Sequence, residues 1–129
     1  WSGLYNVAAS AGHWPITAFP VTVSVALAVD HLPLDLQRCL LRVVQEALAN
    51  VHRHAGAAHV RVNLAASNAM IELSIRDDGR GIAAEYESGA FSGVGLQGMR
   101  HRIERLAGQF SIRRLKHGTR LLARVPLPA

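Results

Sequence analysis

The chain has 129 residues, of which half are hydrophobic and 18% are charged; this is typical of one folded domain and excludes a disordered segment. Its formal net charge is +5, and its single cysteine excludes a disulfide framework and a thiolate zinc site. No apolar run reaches the roughly 18 residues of a membrane span, so the sequence predicts one soluble domain.

The first half of the chain is predicted to contain a leader, a strand and a long helix. Residues 1–20 hold two glycines, two prolines and no charged residue, which predicts an irregular leader before a domain over 21–129. From Val21 to Asp30 apolar and small residues alternate with the period of a β-strand. Helix start signals and apolar spacings of four, three, four and four then predict an amphipathic helix over 33–54.

Two strands follow in the prediction, over 59–64 and 71–77, because their apolar residues alternate. The segment Ala66-Ser67-Asn68-Ala69 is predicted to be the turn between them. A glycine-rich loop then begins at Asp78 and extends to about Ser92.

The last third is predicted to hold a helix over 96–108 that ends at Gly108, followed by strands over 109–115 and 119–127. The turn Lys116-His117-Gly118 joins those strands. Paired strands with few intervening helices predict an α+β fold, an α/β sandwich in which helices pack on one face of a mixed, mostly antiparallel sheet.

The stretch GVGLQG, Gly93 to Gly98, has the G-x-G-x-x-G spacing of dinucleotide-binding folds. That interpretation fails because the preceding segment lacks a strand period and nothing acidic follows Glu104. A Walker A loop is also excluded, since no Gly-Lys-Ser/Thr follows a glycine cluster. Two interpretations remain: glycines that let a helix start approach a phosphate, or a flexible turn.

The first predicted helix carries Glu46, Asn50 and Arg53 at positions i, i+4 and i+7, close to one face. An acid, an amide and a cation in this arrangement can hold Mg²⁺ together with its phosphate. The same spacing is also typical of an ordinary solvated face, which is the simpler interpretation of the helix taken alone.

Asp77 ends a row of strand residues that face the predicted core, after Ile71, Leu73 and Ile75. A carboxylate there needs donors, because an unpaired buried charge is costly. The amino group of a nucleotide base is one candidate, and Thr119 is predicted to share the pocket. The alternative is a turn residue whose carboxylate accepts the N–H groups that follow it.

Three ordered motifs resemble the ATP-binding domain of bacterial sensor histidine kinases. VVQEALANVHRHAGA (43–57) is similar to the N box, DDGRGI (77–82) to the G1 box and GVGLQGMRHRIERLAG (93–108) to the G2 region, and the closing HGTRLLARVPLP looks like the final Gly-Thr strand. GLQGMRHRI is especially similar to the subfamily that signals to response regulators with LuxR-type DNA-binding domains. The resemblance spans about 21–128 and implies the Bergerat-type ATP-binding fold shared with gyrase, Hsp90 and MutL.

The resemblance also implies a role for each matching residue. Asn50 matches the Mg²⁺-binding asparagine, Asp77 the adenine-binding aspartate, and Thr119 supports the adenine pocket. Glu46 matches an acid that acts as a base toward water in some ATPases of the superfamily, although in a kinase hydrolysis would waste the nucleotide. The other implied nucleotide-binding residues are Arg53 and His54 of the N box, Gly79, Gly81 and Ile82 of the G1 box, and Gly93, Val94, Gly95, Leu96 and Gly98 of the G2 region.

By resemblance, the chain binds ATP with Mg²⁺ and, in a longer homodimeric protein, donates the γ-phosphate to a histidine of a separate dimerisation domain. No histidine here has the neighbours of such an acceptor, so the chain is expected to bind ATP but not to phosphorylate itself. Residues 1–20 are expected to be a remnant of the linker to the dimerisation domain. A response regulator would be the next partner. The domain is expected in the cytoplasm, and its parent can be anchored in the inner membrane.

Two alternatives stay open at this point. The first is an anti-sigma-factor serine kinase, which uses a similar domain. The second is a basic nucleic-acid-binding module, because after Glu104 the chain carries only basic charges. They are Arg105, Arg113, Arg114, Lys116, Arg120 and Arg124. A solvated basic face is the simpler interpretation of these charges, and no direct contact with nucleic acid or membrane is expected.

Overall fold

A computed structural model of the chain describes residues 21–25, 32–51, 59–79 and 95–127. In chain order the described elements are β1 (Val21–Val25), α1 (Leu34–Asn50), β2 (Val60–Ser67), β3 (Met70–Asp77), α2 (Leu96–Arg105), β4 (Gln109–Leu115) and β5 (Gly118–Pro126). The predicted order of strands and helices is therefore confirmed over these ranges.

The five described strands form one sheet in the order β1-β2-β3-β5-β4. β1 pairs with β2 in parallel, and α1 lies between them in the chain, as a parallel connection requires. All other neighbouring strands are antiparallel. The prediction of a mixed, mostly antiparallel sheet is confirmed.

One face of the sheet is buried beneath both helices. Alternate residues of β2 and β3 are buried, from Val60 through Leu64 and from Ile71 through Asp77, while their neighbours face outward. Helix α1 contributes the apolar stripe Leu36, Leu40, Val43, Val44, Ala47 and Leu48 to the core, and α2 contributes Met99 and Ile103. The strand period of two and the helix period of 3.6 in the sequence thus produce one shared core.

The turn between β2 and β3 is shorter than predicted. β2 extends through Ser67, and the turn consists of Asn68 and Ala69, with φ values of 53° and 59°. Two central residues with positive φ make the type of hairpin turn whose twist matches that of the strands. The expected four-residue turn was wrong because polar Ser67 still pairs with Met70 in the ladder.

The end of α2 also differs from the sequence expectation. The helix stops at Arg105, and Ala107, with φ of 60°, takes the left-handed position that a glycine usually occupies. Gly108 N–H donates to the Ile103 carbonyl at 3.0 Å, and a Cβ on Gly108 would lie 2.5 Å from the Arg124 carbonyl oxygen. Gly108 is therefore required for close packing against β5 and not for its own backbone angle.

Two predicted elements are described only in part. β1 is described as Val21–Val25 instead of Val21 to Asp30, and 26–30 lie outside the described residues. The helix predicted over 33–54 begins at Leu34 and ends at Asn50, with Val51 as its cap. Residues 1–20 and 52–58 also lie outside the described part of the chain.

Candidate nucleotide site

Asp77 is the buried carboxylate of the candidate site. It ends β3 on the core face and is only 7% exposed. Its Oδ1 accepts the N–H of Gly79 at 2.9 Å. Burial raises the pKa of Asp77 and the neighbouring Asp78 raises it further, while hydrogen bonds from the backbone N–H groups of Gly79 and Thr119 oppose the rise.

The structure confirms the predicted core-facing position of Asp77 and its contact with the following turn, while its contact with a nucleotide base stays a prediction. The residue does face the core side of the sheet, and its carboxylate does accept an N–H from the turn that follows. Burial raises the pKa of Asp77 by more than the hydrogen bond from Gly79 lowers it, so the turn contact alone does not compensate for burying the carboxylate. A buried acceptor beside a glycine-containing turn is suited to a ligand that offers an N–H donor.

Thr119 lies directly beside Asp77 because β5 pairs with β3 in that register. It is 8% exposed. The residue before it, Gly118, has φ of 110°, and a Cβ there would overlap the carbonyl oxygen of Asp77. The sequence predicted Gly118 in the turn and in the final Gly-Thr strand, but its close approach to the Asp77 backbone was not predicted.

A second part of the candidate site lies where α1 meets the start of α2. Gly95 is the residue that caps α2 and has φ of 97°. A Cβ on Gly95 would lie 2.5 Å from Oε2 of Glu46, so the Glu46 carboxylate lies against the helix start. A negative charge is favourable there because the first N–H groups of a helix carry partial positive charge.

Asn50 lies one turn after Glu46 on α1 and is half-buried. Within the described residues, no group of three or more His, Cys, Asp or Glu side chains is arranged to hold a metal ion. An amide oxygen and a nearby acid fit Mg²⁺ in its usual mode, in which one or two protein ligands supplement waters and phosphate oxygens.

The remaining predicted site residues fall into two groups. Leu96 begins α2, and Gly98 lies in its first turn with only the Arg102 guanidinium near its missing Cβ, at 3.2 Å. Arg53, His54, Gly81, Ile82, Gly93 and Val94 lie outside the described residues. The described part of the site is thus centred on the Asp77–Thr119 pair and on the contact between Glu46 and Gly95.

A cavity of about 270 Å³ lies elsewhere, between the start of α1 and the end of β5. Pro33, Leu36, Leu106, Val125 and Leu127 are among its lining residues. Val125 is six residues along β5 from Thr119, a distance of about 20 Å in an extended strand. This cavity is therefore separate from Asp77 and Thr119.

Comparison with known proteins places this chain in a family. The family model described as "Histidine kinase-, DNA gyrase B-, and HSP90-like ATPase" matches residues 35–129. The chain belongs to this family. The family resemblance inferred from the three sequence motifs is thereby confirmed.

Curated relatives include two sensor kinases. The signal transduction histidine-protein kinase/phosphatase DegS of Brevibacillus brevis is 35% identical over 100 residues, which cover 76% of this chain and 25% of DegS. The sensor histidine kinase YhcY of Bacillus subtilis is 42% identical over 94 residues, or 72% of this chain and 24% of YhcY. The chain therefore spans about a quarter of the length of these relatives, and their names do not favour the two alternatives considered from the sequence.

A solved structure matches nearly the whole chain. The ATP binding domain of PrrB from Mycobacterium tuberculosis has a TM-score of 0.77 and 26% sequence identity, and the match covers 99% of this chain and 93% of that domain. The predicted α/β sandwich of the ATP-binding type is thus confirmed. No helix in the described ranges is long and apolar enough to cross a membrane.

Proposed function

We propose that this chain is the ATP-binding catalytic domain of a sensor histidine kinase. It binds Mg-ATP and, within a longer protein, donates the γ-phosphate to a histidine on a separate dimerisation domain. The observation that carries the proposal is the buried Asp77 carboxylate beside Thr119, in a chain of the histidine kinase-like ATPase family.

In this proposal the adenine ring binds between the end of β3 and the start of β5. Asp77 accepts a hydrogen bond from the adenine amino group, and the Thr119 hydroxyl supports the same pocket. Gly79, Gly81 and Ile82 let the base approach the backbone. The 7% exposure of Asp77 supports this role, because a hydrogen bond to a charged acceptor is strongest where water is excluded.

The phosphates lie beside the segment 79–98, which includes the start of α2. Gly93, Val94, Gly95, Leu96 and Gly98 form the hinge and helix start that cover them, where free N–H groups favour an anion. Arg53 and His54 approach the phosphates and the nucleotide from the other side. Asn50 would hold Mg²⁺, and the metal would supply charge neutralisation during transfer.

Glu46 has a positioning role in this proposal. Its carboxylate lies against Gly95, so it holds the start of α2 beside the phosphate loop. A base that activates water would waste ATP in a kinase. Phosphoryl transfer depends mainly on positioning and charge neutralisation, which these residues provide without such a base.

The partners of the longer protein follow from the same proposal. The acceptor histidine passes its phosphate to an aspartate of a response regulator, and the similarity of GLQGMRHRI to one subfamily favours a regulator with a LuxR-type DNA-binding domain. The domain works in the cytoplasm, where ATP is available. The full-length protein is a homodimer.

Calorimetry with a non-hydrolysable ATP analogue tests the nucleotide site. Asp77→Asn is expected to weaken binding with and without Mg²⁺, whereas Asn50→Ala weakens it only when Mg²⁺ is present. Asp78→Asn is the matched control, because Asp78 is exposed and its Oδ1 accepts the His59 N–H. Unchanged affinity in both site variants would refute the assignment.

The transfer reaction is tested with the full-length protein and ATP labelled in its γ-phosphate. Phosphohistidine is lost in acid and survives alkali, whereas phosphoserine survives acid. Acid-labile label that disappears in Asp77→Asn supports the histidine kinase. Acid-stable label would contradict it.

A further inference from the structure

Four arginines form a continuous row across the outer face of the sheet. Arg61 of β2 pairs with Arg76 of β3, Arg76 with Arg120 of β5, and Arg120 with Arg113 of β4. All four side chains are exposed. Because neighbouring strands are about 4.8 Å apart, the row spans about 14 Å. We call it the arginine row.

The charges of the arginine row are not neutralised within the described part of the chain. The ion pairs there join Arg100 to Glu104 and Arg124 to Glu72, and neither includes a member of the row. The adjacent row on the same face, Asn63, Ser74, Leu122 and Ser111, carries no charge. The nearest described acid along the chain is Asp78, whose Oδ1 accepts a hydrogen bond from the backbone N–H of His59.

The fold itself does not require this arrangement. Like charges directly opposite each other on neighbouring strands repel, and these positions face water instead of the core. Any polar residue would satisfy the outer face of the sheet. Three successive arginine pairs therefore make a positive surface that suits an anionic partner.

We propose that the arginine row docks an acidic α-helix of a protein partner, lying across the strands. Carboxylates spaced i, i+4, i+7 and i+11 on such a helix recur about every 5.5 Å along one face and extend about 16 Å. This spacing is close to that of four arginines on adjacent strands. Each guanidinium then has one carboxylate within reach, and bidentate pairing favours arginine over lysine at such a contact.

The same face fits nucleic acid and lipid less well. Its strand positions carry no aromatic residue on which a base of a single strand could stack. On this face the row is one arginine deep, because Arg114 alternates to the other face of β4 and the next outward cation along β5, Arg124, is paired with Glu72. Duplex DNA and anionic membranes instead present charge over a broad area. A single line of cations is matched best by a single line of carboxylates.

The proposal concerns the face of the sheet opposite the Asp77 pocket and does not depend on nucleotide binding. Its probe is a labelled, alanine-rich helical peptide of about 20 residues with glutamates at i, i+4, i+7 and i+11. A peptide with glutamine at those positions is the control ligand. Fluorescence anisotropy with the whole 129-residue chain measures affinity at increasing salt.

The double variant Arg76→Gln/Arg120→Gln removes the centre of the row. It is expected to bind the glutamate peptide about tenfold more weakly, while the glutamine peptide does not bind to either protein. Arg38→Gln/Arg42→Gln removes two exposed arginines of α1 and the same net charge, and is expected to bind like the parent. Circular dichroism checks that each variant is folded.

Three results would overturn the proposal. Equal weakening in the two double variants would show that only net charge matters. Equal binding of the two peptides would show that carboxylates are not recognised. Duplex DNA or phosphatidylserine vesicles could bind more tightly than the glutamate peptide and lose that binding in Arg76→Gln/Arg120→Gln. The partner of the row would then be nucleic acid or membrane and not an acidic helix.

Discussion

Two adjacent residue pairs of the sheet place charged side chains in opposite environments. Asp77 and Thr119 pair on the buried face, and the carboxylate depends on the N–H groups of Gly79 and Thr119. One residue away on each strand, Arg76 and Arg120 pair on the outer face, where water solvates them. A buried charge needs fixed donors, whereas an exposed charge needs only solvent. Substitutions should therefore have large effects in the first row and small ones in the second.

The largest effect is expected from Gly118→Ala. Its Cβ would overlap the Asp77 carbonyl oxygen, and φ of 110° is unfavourable for alanine. We expect a loss of about 2–5 kcal/mol in the free energy of unfolding, together with loss of nucleotide binding, because the strand pairing that holds Asp77 must shift. Urea denaturation measures the first effect and calorimetry the second. Wild-type stability in this variant would mean that β5 can move away from Asp77 at no cost.

Asp77→Asn should separate binding from stability. The amide keeps an oxygen for Gly79 but loses the charged acceptor, so affinity for an ATP analogue should fall about 10- to 100-fold. The same change removes a buried charge, so the variant should unfold at a higher temperature than the parent at neutral pH. Calorimetric titration and thermal unfolding measure the two effects. Normal binding would contradict the contact of Asp77 with the nucleotide. Lower stability at pH 7 would contradict the cost of burying its charge.

The pH dependence of that stability difference has a definite sign. Burial raises the pKa of Asp77 above its unfolded value of about 3.9, so in the window between the two pKa values the folded protein holds the proton more tightly. Stability therefore falls as pH rises through this window, and the penalty is complete above the folded pKa. Asp77→Asn lacks this penalty, so its advantage in melting temperature should be present at pH 7 and absent below the unfolded pKa.

The sequence predicted the parts of the site that depend on periodicity. A period of two put Asp77 after Ile71, Leu73 and Ile75 on the core face, and the structure confirms that burial. The same period on β5 put Thr119 on that face. Periodicity could do this because a strand with one buried face fixes the side of every residue along it.

Contacts between distant segments could not be predicted in the same way. The approach of Glu46 to Gly95 joins residues on two helices, and the packing of Gly108 against Arg124 depends on how α2 meets β5. The arginine row is a similar case, since the basic charges after Glu104 were visible but their alignment with Arg61 and Arg76 depends on strand register. Helix packing is not encoded in a local pattern, and the pairing of β3 with β5 joins strands that are distant in the chain.

Gly98→Ala is the matched contrast to Gly118→Ala. Gly98 lies inside α2, and only the flexible end of Arg102 is near its missing Cβ. Alanine should raise the free energy of unfolding by about 1 kcal/mol, because glycine is a poor helix residue. If phosphates approach this turn as proposed, the methyl group should also weaken ATP-analogue binding. Denaturation and calorimetry on the same sample test both, and unchanged affinity would place the phosphates away from Gly98.

The smallest effect is expected from Arg76→Gln/Arg120→Gln. Removing like charges that face each other across β3 and β5 should stabilise the chain by a few tenths of a kcal/mol, a gain that depends on salt. Melting temperatures of parent and variant should differ at low ionic strength and converge near 1 M salt, where screening acts over about 3 Å. Arg38→Gln/Arg42→Gln controls for net charge. A loss of stability in Arg76→Gln/Arg120→Gln would mean that these side chains support the fold, and the contrast between the buried and the exposed row would then fail.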